Sequence, residues 1–233
     1  MSAQPIKTLA DKINEFVKGT VVPVGVESLR LLPDSLVLGT SILAAISMAK
    51  SYGVLLFTMF EVMLIQRVFS MIVGGIAPVG ALENASDGPC QPGFIYSNMM
   101  RLSLLDTIGI QSMFPSPTMF FLAAILSYLL NAIQNFGREI KSLSGDLKTR
   151  TRMATGFSFL FILAMLMFRY SYKCESFGTL LLSVILGAIV GALIVYQNIA
   201  VFGRDSVNVL NIPMIQSALE SGKPMYVCAP SDI

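Results

Sequence analysis

From Ser35 to Leu82 the chain runs for 48 residues in which Lys50, Glu61, Gln66 and Arg67 are the only charged or amide side chains. As one helix this run would be about 72 Å long, more than twice a hydrocarbon core, which needs about 20 helical residues. Two passes fit, with "KSYG", Lys50 to Gly53, as the only local turn material. The run is continuous rather than alternating, which favours helices over barrel strands. Composition agrees: the chain is 54% hydrophobic and 13% charged, where a soluble domain carries about 25% charged residues. The expected fold class is all-α, a polytopic membrane helical bundle of about five (four to six) transmembrane helices with amphipathic surface helices.

Five regions follow. Residues 1–34 form an amphipathic N-terminal segment: Ile6, Leu9, Ala10, Ile13, Phe16 and Val17 recur at helical spacing between charges, with Pro5 to start a helix and Gly19 to stop it. The absence of an apolar h-region among the first twenty residues speaks against a cleavable signal peptide. Residues 35–82 form the hairpin, with spans near 35–49 and 54–79, or else one long span beside an interfacial segment. Residues 83–117 are an extramembrane loop in which Asn98 caps a short Met-rich helix and Asn84 opens a formal glycosylation sequon. Residues 118–200 hold three spans, Met119–Ile133, a short Met153–Phe168 with Arg152 and Arg169 snorkelling from its ends, and Phe177–Ala200, with a basic loop at 137–152. Residues 201–233 are an extramembrane tail.

Orientation comes from Lys and Arg near the spans. The 137–152 loop carries five (Arg138, Lys141, Lys148, Arg150, Arg152), against one in 83–117 and two in 169–176. The basic loop and the tail are therefore expected in the cytoplasm, with Cys90 and Cys174 together on the opposite face. Topology allows that pair to join if that face is oxidising, and reduced thiols are the equal alternative. Lys148, Arg150 and Arg152 serve either as the topology signal or as a contact for anionic headgroups. Five spans place the N-terminus with Cys90, and four place it in the cytoplasm.

The most site-like stretch is "FEVMLIQR", Phe60 to Arg67. Glu61 and Arg67 are six residues apart, roughly 120° around the helix, so they cannot pair as i, i+3 or i+4 neighbours do. Each of Glu61, Gln66 and Arg67 needs a partner elsewhere, because an intramembrane charge costs at least about 2.5 kcal/mol on insertion scales. The other spans offer amides only near their ends (Asn131, Gln134, Asn135, Gln197, Asn198), and structural glue is favoured over an ion path. Gly187 and Gly191 form a GxxxG spacing suited to close helix packing within the chain or to a dimer. The chain contains no histidine and no GxSxG, HExxH or P-loop pattern. No catalytic, cofactor or metal residue is assigned, and no enzyme activity is expected. A net charge of +2 gives no case for nucleic acid.

The combination of a histidine-free multispan chain, an amphipathic N-terminal helix, a Met-rich loop and the tail "NVLNIPMIQSALESGKPMYVCAPSDI" resembles the membrane-embedded minor structural, capsid-associated proteins of large icosahedral double-stranded DNA viruses. That resemblance, one of layout, implies a non-enzymatic structural protein of a virion inner membrane that links the bilayer to the capsid. Its expected partners are the lipid bilayer and other subunits, reached through the N-terminal helix, the 83–117 loop and the tail. The alternatives are a small transporter or channel using Glu61 and Arg67, and an accessory subunit of a cellular membrane complex.

Overall fold

The computed structural model describes residues 14–76, 90, 93, 114–137 and 145–209. Among these residues the chain forms six helices and no strand: α1 Asn14–Arg30, α2 Leu32–Ser47, α3 Lys50–Ile76, α4 Pro117–Asn135, α5 Gly145–Ser171 and α6 Phe177–Phe202. A 3-10 turn, Arg204–Val207, follows α6. Lys50–Val73, Pro117–Asn135, Thr151–Ser171 and Phe177–Phe202 are long and apolar enough to cross a membrane, and α1 with α2 makes a fifth if that bent pair is one span. The architecture is the expected all-α bundle of membrane-spanning length. The Met-rich helix after Asn98, the sequon at Asn84 and the tail beyond Val209 lie outside the described residues.

Several boundaries differ from the sequence expectation, each for a local reason. The N-terminal helix does not stop at Gly19 but continues to Arg30. Pro23 has no N–H to give the carbonyl of Gly19, and a widened π turn at Val17–Val21, closed by the Val22 N–H on the Val17 carbonyl, absorbs that loss. The break falls instead at Leu31 (ψ 1°), just before Pro33, where α1 and α2 meet at 59°. The reversal after α2 uses Met48, in the left-handed region at φ 49°, rather than the Gly53 turn. Lys50 to Gly53 are the first turn of α3.

The span expected at Met153–Phe168 is the centre of a 27-residue helix, so it is not short. Half of the supposed basic loop, including Lys148, Arg150 and Arg152, lies in the first turns of α5. Arg169 does not snorkel; it is 4% exposed.

The core is built around α4. Pro117 through Ile125, Tyr128 and Ala132 are all buried, so this helix is enclosed on every side along its first half. Its closest partner is α6. A Cβ on Gly187 would strike the backbone of Phe120, and one on Gly191 the backbone carbonyl of Ala124. Absent side chains at two positions four apart let the helix backbones touch. Leu180, Ile194 and Val195 complete the seam.

On α3, Val54, Leu55, Met59, Val62 and Met63 face the core, while Phe57, Phe60, Leu64, Val68 and Ile72 form an outer apolar face suited to lipid. At one end of the bundle Lys50 Nζ donates to the Phe202 carbonyl (2.7 Å), and Arg204 Nη2 donates to the Asn135 carbonyl (2.6 Å) while stacking over Phe136. Both cations sit at helix C-termini, where unpaired carbonyls attract positive charge. Ser206 and Val207 fold back into the core from there.

Candidate functional site

The polar side chains of the spans are gathered into interhelical contacts. Glu61, half-buried on α3, accepts a hydrogen bond at Oε1 from Gln197 Nε2 of α6 (2.6 Å). One helical turn earlier, Thr58 is fully buried and accepts from Asn198 Nδ2 at 2.8 Å, while its own hydroxyl donates to the Val54 carbonyl. Asn198 Nδ2 also reaches the Tyr128 hydroxyl of α4 at 3.3 Å. Three helices therefore meet at one amide, which carries two donors and so can join two hydroxyls at once.

Gln66, 2% exposed, donates to the Pro115 carbonyl at 2.8 Å, ahead of α4. Next to it in sequence, the Ser116 N–H donates to Ser183 Oγ of α6 (2.7 Å), and the Ser183 hydroxyl in turn donates to the Thr179 carbonyl. Ser127 Oγ donates to the Ala188 carbonyl at 2.7 Å across the same seam. In a low-dielectric interior a polar group left without a partner is costly, and these contacts remove part of that cost.

The expected partition of these residues needs one correction. Gln197 and Asn198, expected only as amides near the end of a span, are partners of Glu61 and Thr58 on α3, so the spans do bring polar groups together. Asn198 lies eleven residues after Gly187, within about 20° of the same helix face, and that face was legible as a packing seam. Glu61 and Arg67 are not joined by an ion pair among the described residues. Glu61 turns to α6, and Arg67 sits half-buried on a different side of α3. Glu61 Oε2, Gln66 Oε1 and Asn198 Oδ1 are buried without a hydrogen-bond partner.

A second polar centre lies at the opposite end. Cys90 and Cys174 are joined by a disulfide. Beside it Arg169 and Glu175 form a buried two-toothed ion pair, Nε to Oε2 at 3.2 Å and Nη2 to Oε1 at 2.8 Å, each side chain 5% exposed. Sequence reasoning missed this pair because Glu175 lies beyond the end of the helix that carries Arg169. The only hint was the crowding of Arg, Cys and Glu in "RYSYKCES".

Of the remaining expected residues, Gly187 and Gly191 pack against α4 within the chain, Arg152 is exposed at the start of α5, and Lys148 and Arg150 share its first turns. Among the described residues no group of three His, Cys, Asp or Glu side chains is placed to hold a metal ion. A cleft of about 650 Å³ opens at the α1–α2 elbow, lined by Pro23, Val24, Glu27, Ser28, Leu31, Leu32 and Ser35. No protein family, curated protein or solved structure matches the chain.

Proposed function

We propose that this chain is a non-enzymatic structural membrane protein that anchors a larger protein assembly to a lipid bilayer, and that its layout suits a virion inner membrane facing a capsid. The observation that carries this reading is the use made of the intramembrane polar groups: Glu61, Gln66, Thr58 and Asn198 spend their hydrogen bonds tying α3, α4 and α6 together. A conducting site keeps its polar groups turned toward a path and often breaks its helices beside it. Here α3, α4 and α6 run as unbroken helices through the contacts. In this reading partner subunits are reached through the N-terminal helix and through residues within 83–113 and 210–233.

One observation favours transport as a second reading. Glu61 keeps a buried carboxylate oxygen with no hydrogen-bond partner, and such an oxygen could receive a cation or proton. Extraction of the native protein in mild detergent separates the two. The structural role predicts recovery within a large assembly, and reconstituted vesicles whose ion leak is the same for the parent and Glu61→Gln. Recovery as an isolated monomer or dimer, with a flux that Glu61→Gln abolishes, would overturn it.

A further inference from the structure

The disulfide end of the bundle is organised by one side chain. The Arg169 guanidinium divides its N–H groups among three segments: Glu175 in the α5–α6 connection, Thr118 Oγ1 in the first turn of α4 (3.4 Å), and the Cys90 carbonyl (3.4 Å). The Arg169 main-chain carbonyl meanwhile accepts the Cys174 N–H at 3.0 Å. One residue thus holds the backbone of both cysteines, Cys174 through its main chain and Cys90 through its side chain.

We propose that Arg169 is the positioning residue for the Cys90–Cys174 bond, a template that assembles before the sulfurs join and brings Cys90 to Cys174. The order follows from chain distance. The ion pair and the Cys174 N–H bond close within the seven residues Arg169 to Glu175, so this half forms as soon as α5 and α6 pair. Cys90 is 84 residues away in sequence. A buried guanidinium with unmet N–H groups is costly, and the Cys90 carbonyl meets one of them. Capture of that carbonyl raises the concentration of one sulfur near the other.

The covalent step needs an external oxidant of the disulfide class. One cysteine thiolate attacks a sulfur of the donor disulfide and expels one thiolate. The second cysteine thiolate then attacks the mixed disulfide and expels the other. Two protons leave Cys90 and Cys174, and two electrons pass to the donor, which departs as two thiols; Arg169 neither gains nor loses electrons. Cys90 and Cys174 end 5% and 2% exposed, so exchange precedes the final closure of this surface.

The test equilibrates the full chain, with Cys228→Ser to leave one pair, in lipid nanodiscs against mixtures of reduced glutathione and glutathione disulfide. Alkylation and mass measurement then give the oxidised fraction. Arg169→Gln is expected to lower the equilibrium constant for the bond at least tenfold, a rise in reduction potential of about 30 mV. Arg169→Lys keeps a charge for Glu175 but lacks the fork that reaches Glu175 and Cys90 together. It should fold and still lose at least threefold. A residue that merely stabilised the bundle would support its dithiol and disulfide forms equally and leave the potential unchanged. An equilibrium constant within twofold of the parent's in either folded variant would overturn the proposal.

Discussion

Helices α5 and α6 are consecutive, nearly equal in length at 27 and 26 residues, and joined by a short connection, yet they relate to the rest of the protein in opposite ways. The apolar segment of α6 is 39% buried and that of α5 is 11% buried. Among the described side chains of α5 only Met165, Leu166 and Arg169 are buried, while Met153, Phe157, Phe159 and Leu160 stand exposed. Polar side chains behave accordingly. Thr155 and Ser158 on α5 turn back to carbonyls of their own helix, whereas on α6 Ser183, besides such a bond, accepts from the Ser116 N–H ahead of α4, and Asn198 donates to Thr58 of α3 and Tyr128 of α4. In lipid an apolar surface gains little by leaving its surroundings, so apolarity sets who crosses and not who packs. Packing is decided by where small and polar residues coincide on one face.

The sharpest way to break this contrast is to put a side chain on each helix's glycine. Gly191→Leu drives its Cβ onto the Ala124 backbone, which cannot swing aside as a side chain could, so α4 and α6 must separate. We expect a loss at or above the top of the ~1–3 kcal/mol range for overpacking, read as a lower midpoint in a detergent unfolding titration. Gly156→Leu on α5 meets nothing within 4 Å and is expected to leave that midpoint within ~0.5 kcal/mol. Equal effects would mean that α5 has a partner as close as α4 is to α6.

Next in size is Asn198→Leu. It removes both donors from Thr58 and Tyr128 in a fully buried position, at an expected cost of about 1–2 kcal/mol. Ser158→Ala on α5 removes only a bond to its own helix and should be neutral in the same titration. If Asn198→Leu is also neutral, the three-helix junction is held by shape alone.

These pairs also mark what the sequence could and could not reveal. Apolar block length located α4 and α6 to within a few residues, because crossing a bilayer imposes a length. The start of α5 was hidden because Lys148, Arg150 and Arg152 look like loop, although charged residues are good helix formers at a membrane edge. The αL turn at Met48 was hidden because a methionine can take that conformation at a cost no sequence pattern advertises. Partners across helices were the least legible. Glu61 needed one, and its position on α3 made that plain, but the choice of Gln197 depends on the rotation and height of α6. That register is set at a distance by Gly187 and Gly191. The buried Arg169 was hidden for a similar reason: its solvation comes from Glu175, Thr118 and Cys90, none within a helical turn of it.

The smallest expected effect tests Glu61 itself. Glu61 is half-buried and Gln197 more exposed, so their 2.6 Å bond lies on the flank of the α3–α6 contact rather than within it. If it is structural glue, its strength should be that of an ordinary interhelical hydrogen bond in a membrane, about 0.6 kcal/mol and below about 1.7. The double-mutant cycle of Glu61→Leu and Gln197→Leu isolates that quantity, because each single change removes the bond and the pair together removes no more. A coupling near 0.6 kcal/mol places Glu61 with the other polar contacts of the bundle, differing from Asn198 only in burial. A coupling well above 2 kcal/mol would mean that the carboxylate is held far more firmly than helix packing requires. Glu61 would then have to be explained by what it binds rather than by what it joins.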